Sequence, residues 1–181
     1  MCHFTACLYS LFQQESKRPN GITYNNAIEY NQYIVDKQTE VMHMILSYVE
    51  TVQKDPQSAL ENLSVQAKEV DVMIKDLKGM PAFKGNTEMR DVAVETFSFY
   101  ADVFRNEYKQ MTDLILSIDS TGGTAEQMAL NEKITADVTR REEVMVNKFL
   151  KAQRTFAKEN RLKLEENKAE KEFEEKINSY E

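Results

Sequence analysis

The chain is poor in residues that interrupt a helix, with five glycines and three prolines among 181 residues. So few breakers exclude a fold of many short strands and favour long helices. Cysteine is nearly missing: Cys2 and Cys7 both precede the periodic region, so no disulfide staples the core. Histidine is limited to His3 and His43, which leaves little for metal or nucleophilic chemistry. No apolar run approaches the roughly 20 residues needed to cross a bilayer. Nor is positive charge clustered. A net charge of −7 argues against electrostatic capture of nucleic acid or anionic lipid, both of which need basic patches.

What is present suits one helical domain. A hydrophobic share of 41% is enough for a core, and 29% charged residues with a mean hydropathy of −0.57 give it a wet exterior. Residues 1–22 read as an irregular leader. Helix 1 starts near Asn26, which with Glu29 forms a capping-box pattern, and runs to about Lys54 along a stripe of Ile28, Val35, Met42, Ile45, Val49 and Val52. Asp55-Pro56 starts helix 2, an N-cap carboxylate followed by proline at the first helical position, and Gly79-Met80-Pro81 ends it. Helix 3 follows Gly85-Asn86, with Ala93, Phe97, Tyr100, Phe104, Met111, Ile115 and Ile118 on one side. After a loop at 119–124, Thr124 and Gln127 form a second capping box, opening helix 4 with Ile134, Val138, Met145, Phe149, Ala152 and Phe156. The pattern predicts an all-α, up-down-up-down four-helix bundle over 23–160. Residues 161–181 are charged with both signs interspersed. Helix 4 is expected to project through them as a solvated extension on which Leu162, Leu164, Phe173 and Ile177 could dock on a partner helix.

Tests for chemistry return nothing. Glu40-Val-Met-His43 matches the Glu-x-x-His pair of di-iron bundles, but that chemistry needs two such pairs and two further carboxylates. With Met42 on the buried stripe, His43 points aside and Glu40 nearly opposite. Gly79 to Thr87 echoes a phosphate loop faintly, but has five residues between its glycines, no lysine at the required place and a helix ahead of it. No Ser-His-Asp or Cys-His set can be assembled. The nine methionines sit largely at core spacing, as gap fillers. No enzymatic activity, metal or cofactor is expected.

Polar residues interrupt the apolar stripes. Asn31 and Gln38 fall on helix 1, Tyr100 and Glu107 on helix 3, and Arg141 on helix 4 between Val138 and Met145. At 1.5 Å per residue, Gln38, Tyr100, Glu107 and Arg141 reach heights of roughly 20 to 30 Å above the common lower end. Burial of such groups is costly unless they satisfy one another. A mid-bundle polar layer is therefore expected, with an Arg141–Glu107 ion pair, Gln38 and Tyr100 completing it, and Asn31 lower, near Gln153. The layer either fixes helix register or lines a small-ligand pocket.

The stretch Tyr30-Asn-Gln-Tyr-Ile-Val-Asp-Lys-Gln38 resembles the opening of an uncharacterised family of bacterial surface proteins and lipoproteins, common in Bacteroidetes and named from Leptospira. Met80-Pro-Ala-Phe-Lys-Gly85, Arg90-Asp91, Phe99-Tyr100, Glu107-Tyr108 and Ala152-Gln-Arg-Thr-Phe-Ala-Lys158 fit it too, so the likeness spans roughly 24–164. The resemblance implies no catalytic residue. It implies a lipoprotein signal, and Phe4-Thr-Ala-Cys7 looks like the end of a lipobox, although Phe4 departs from the usual Leu, Val or Ile. Only six residues precede Cys7, with no basic segment or apolar stretch, so lipidation of Cys7 implies a longer gene product. The expectation is a non-enzymatic envelope protein with an unknown protein or envelope partner, touching membrane only through a lipid anchor. The alternatives are a solute-binding bundle and an intracellular (cytoplasmic) helical adaptor.

Overall fold

The structure, a computed structural model, describes residues 16–17, 23–118, 122–164 and 175–176. Five helical segments form four rods: α1 (Ala27–Lys54), α2 (Pro56–Lys78), α3 (Glu88–Arg105) continued by α4 (Glu107–Leu116), and α5 (Ala125–Glu159). They alternate up and down as an all-α bundle. A two-residue antiparallel pair, β1 (Ser16–Lys17) with β2 (Thr23–Tyr24), precedes it. Part of the expected irregular leader is thus paired.

The helix starts follow from side chains that satisfy otherwise orphaned backbone N–H groups. Asn26 accepts from the Ile28 and Glu29 amides, Asp55 from Ser58, and Thr124 from Gln127, whose own side chain takes the Thr124 N–H at 2.8 Å. At α1 the reciprocal partner differs from expectation, because the Glu29 carboxylate accepts the N–H of Asn25, not that of Asn26.

Two features depart from the sequence pattern. The third rod is interrupted at Asn106, where φ −113° and ψ −72° break helical geometry. Backbone hydrogen bonds on either side, Asn106 to Asp102 and Gln110 to Asn106, keep the two halves nearly continuous. At the other end, α5 stops at Glu159. Arg161 adopts φ +55°, its N–H bonds Lys158 and the Leu162 N–H bonds Ala157 at 2.8 Å, a Schellman turn with arginine in the left-handed position. Leu162 then packs on the main core. The expected continuous projection of this helix therefore does not form; residues 165–174 and 177–181 lie outside the described residues, and Phe173 and Ile177 with them.

The main core joins Tyr30, Ile34 and Val41 of α1, Leu63, Val70 and Leu77 of α2, Ala93, Phe97 and Phe104 of α3, and Phe149 and Phe156 of α5. A second, smaller cluster of Val103, Ile134 and Val138 lies higher up. Helix 1 is rotated from the expected stripe: Ile28 is 64% exposed, and Tyr30 and Tyr48 take the buried face. At the lower end the chain reverses between α2 and α3 through Lys84 (φ +50°) and Gly85 (φ +83°), with Phe83 and Asn86 exchanging both backbone hydrogen bonds. Two consecutive positive φ angles make this a type I′ turn, which favours glycine at its second corner. Lys84 and Asn86 in turn bond Asn160 and Glu159, fastening the end of α5.

Helices α1 and α5 meet mainly at this lower end. Tyr30 stacks on Phe156 at 5.4 Å, and Gln153 donates to Asn31 at 3.2 Å. The closely packed neighbours are α1 with α2, α2 with α3 and α4, and α3 and α4 with α5, and α1 also touches α3.

Candidate functional site

The sequence predicts a polar layer, and polar groups do collect at mid-height. The expected Arg141–Glu107 ion pair forms between α5 and α4, and the expected Asn31–Gln153 contact forms below it. Yet all five predicted members are half-buried, not buried. Arg141 keeps a third of its side chain exposed, with its guanidinium 5.4 Å from the Phe99 ring and its Nε 2.9 Å from Asp137. That last contact is close enough for charge attraction, but misaligned for a hydrogen bond. Hydrogen bonds from Arg140 and the charge of Arg141 hold the Asp137 carboxyl below the usual range. Glu107 Oε2 is buried without a donor among the described residues.

Gln38 does not join. It lies on α1, half-buried, and makes no side-chain hydrogen bond among the described residues. Tyr100 does not turn to Gln38 or Arg141; its hydroxyl donates to Glu142 at 2.9 Å. Cys7 lies outside the described residues. Glu40 and His43 are both exposed, and Glu40 pairs with Lys37. Among the described residues no group of three or more His, Cys, Asp or Glu could hold a metal ion, and no helix is long and apolar enough to cross a membrane.

The centre of the polar cluster was not visible from the stripe pattern. Glu142 reaches inward from α5, and burial raises its carboxyl pKa against the opposing hydrogen bond from Tyr100. Tyr48 of α1 stacks face to face on Tyr108 of α4, with centroids 4.3 Å apart and planes 6° from parallel. The Tyr48 hydroxyl lies 3.0 Å from the Thr112 hydroxyl, which is fully buried and donates to the Tyr108 carbonyl at 2.7 Å. Burial raises the pKa of both tyrosines, and the Glu142 and Glu107 carboxylates push Tyr108 further in the same direction. The arrangement can bind or exchange a proton at Glu142. It holds no paired base and nucleophile.

A second feature lies at the upper end. A half-open groove of about 220 Å³ runs between α4 and α5, lined by Leu114, Ile115, Ile118, Gln127, Met128, Asn131 and Glu132. Met128 is 56% and Ile118 39% exposed, and Leu114 and Ile115 are half-buried. The Asn131 side-chain oxygen is buried there without a donor among the described residues.

Comparison with family models, with curated proteins and with solved structures finds no match. Function must therefore be read from these two features and from the motifs of the chain itself.

Proposed function

We propose that the protein is a non-enzymatic helical bundle of the bacterial cell envelope that acts by contact with another macromolecule. The observation that carries this reading is the exposed apolar rim of the α4–α5 groove. Ile118 and Met128 line the groove and are 39% and 56% exposed, with the half-buried Leu114 and Ile115 between its walls. Contiguous exposed apolar residues rimmed by polar ones are characteristic of interaction surfaces. The envelope address is supported by the resemblance of residues 30–38 and 80–85 to surface lipoproteins and by the lipobox-like Phe4–Cys7. The cysteine-free body is compatible with an oxidising compartment. The test is crosslinking of the intact protein in envelope extract, comparing the parent with Met128→Asp and Ile118→Asp. Loss of a specific crosslinked species in both variants, at unchanged melting temperature, supports the reading. Identical crosslinks in all three proteins remove it.

A second reading, a solute-binding bundle, draws on Glu107 Oε2, which has no donor among the described residues, and on the half-buried Glu142 carboxylate. Both would accept from a cationic or hydroxylated solute. A specific rise in melting temperature with one compound of a metabolite panel, lost in Glu142→Gln, supports it.

A further inference from the structure

We infer that the lower part of α5 and the turn below it form a basic face that docks on an anionic lipid bilayer. The inference rests on the envelope address proposed above and adds a second contact, at the opposite end from the α4–α5 groove. Cations are unevenly matched along α5. In its middle they are paired: Arg140 and Arg141 with Asp137, Arg141 also with Glu107, and Lys148 with Glu95. Below Lys148 the pairing stops. Lys151, Arg154, Lys158, Arg161 and Lys163 are all exposed, and none of them is in an ion pair among the described residues.

Sequence order hides this cluster, because one to three residues separate each cation from the next. At 100° per residue, Lys151, Arg154 and Lys158 lie within about 60° on one side of the helix. Phe149, Ala152 and Phe156 turn the other side into the core. Arg161 and Lys163 follow in the Schellman turn that ends the helix and just beyond it. Lys84 donates to Asn160 at 3.1 Å, which sets a further ammonium beside that turn. One carboxylate, Glu159, falls between Lys151 and Leu164, and Asn86 donates to it.

The net charge of −7 is little felt at this face. At physiological salt the Debye length is about 8 Å. Met128, in the groove, is 26 residues from Arg154 on the same helix, or roughly 39 Å at 1.5 Å per residue. Acids of the upper end are therefore screened from a surface that touches the lower end, and the local charge governs. The chemistry of the face selects the partner. The one aromatic ring between Lys151 and Leu164, that of Phe156, is buried, so a nucleic acid finds no platform for base stacking. Exposed Leu164 adds an apolar side chain beside the cations, a combination suited to the headgroup layer of an acidic bilayer. The chain also enters the bundle at this end, where Tyr24 packs on Tyr30. A lipid-anchored leader would hold the same end against the membrane, and an acyl chain with a basic patch makes a stable attachment where one chain alone is marginal.

Vesicle flotation of the full chain, with Cys7→Ser to exclude an acyl anchor, tests the inference. The protein should float with phosphatidylglycerol vesicles and not with phosphatidylcholine vesicles at about 0.15 M salt, and be released near about 1 M, where the Debye length falls to about 3 Å. Each cation near an acidic bilayer tightens binding by roughly fivefold. Lys151→Glu with Arg154→Glu and Lys158→Glu should therefore weaken binding by about a hundredfold or more, at unchanged melting temperature. Lys54→Glu with Lys68→Glu and Lys133→Glu changes the net charge equally at exposed positions away from the face, and should bind like the parent. Absence of parental binding to the acidic vesicles, or equal loss in both triple variants, overturns the inference. Tighter binding to a DNA duplex at equal phosphate concentration assigns the face to nucleic acid and overturns it too. Vesicle binding involves no partner protein, so crosslinks that persist while vesicles are ignored remove this inference alone.

Discussion

The two ends of the bundle solve the same problem, closing a stack of helices, in opposite ways. At the lower end Tyr24, Tyr30, Phe83 and Phe156 interlock with centroid distances of 5.0 to 5.4 Å. Tyr30 donates to the Pro81 carbonyl, and Arg90 to the Met80 carbonyl at 2.7 Å, so the α2–α3 loop is tied to α1 and α3. The Tyr30 hydroxyl is pushed up to about 12, chiefly by burial, with the Arg90 charge opposing. At the upper end the cluster of Val103, Ile134 and Val138 is small, and Met128, Leu130 and Ile118 are left in solvent. Enclosed aromatic area contributes strongly to stability, and exposed area contributes little. One end holds the fold, and the other leaves a surface available.

The sharpest break of that contrast is truncation at each end. Phe156→Ala, which opens a hole among four rings, should cost about 3–5 kcal/mol, whereas Met128→Ala should stay within about 0.5 kcal/mol. Urea unfolding of the two variants measures the difference; comparable losses at both ends would erase the distinction.

The middle of the bundle comes next. Arg141→Met removes the only described donor to Glu107 and should cost about 1–2 kcal/mol, discounted because both side chains are partly solvated. Adding Glu107→Leu should recover most of the loss, because the orphaned carboxylate goes with it. A double-mutant cycle by thermal unfolding reads this, and additive losses would mean the pair is not coupled.

The smallest effect is at Glu142. Its folded-state pKa is raised, so the native protein binds a proton more tightly than the unfolded chain does. Stability from this group is therefore fully present below the ordinary glutamate pKa, and is lost as pH rises through the raised value. Glu142→Gln keeps an acceptor for Tyr100 and should raise the melting temperature at neutral pH by about 2–3 °C, while flattening that part of the pH profile. A parental profile that does not fall over this range would show that burial leaves the carboxyl unperturbed.

Axial position was legible in the sequence, and lateral position was not. A fixed rise per residue brought Asn31 level with Gln153 and Glu107 level with Arg141, and both pairs form. Gln38 was placed at a sensible height, but nothing in a single stripe tells which neighbour faces it. Helix starts were legible because Asn26, Asp55 and Thr124 carry their own capping chemistry. The break at Asn106 was not, since the spacing of Phe104, Glu107 and Met111 reads straight through it. The stop at Arg161 was hidden because the residue in the left-handed position is an arginine, not glycine, inside a run of charges that scans as helix. Glu142 was missed for a related reason: it follows Arg141 directly, and the stripe pattern gave the inward place to the arginine alone.

The Tyr48–Tyr108 stack has a practical consequence. The chain has eight tyrosines and no tryptophan, so phenol emission is not drained to an indole. The stacked pair and the carboxylate-bonded Tyr100 sit where three helices converge, and a phenol held against a carboxylate is quenched. Separation of these helices should brighten the native fluorescence without any attached dye. The protein carries its own optical gauge of whether its middle is closed.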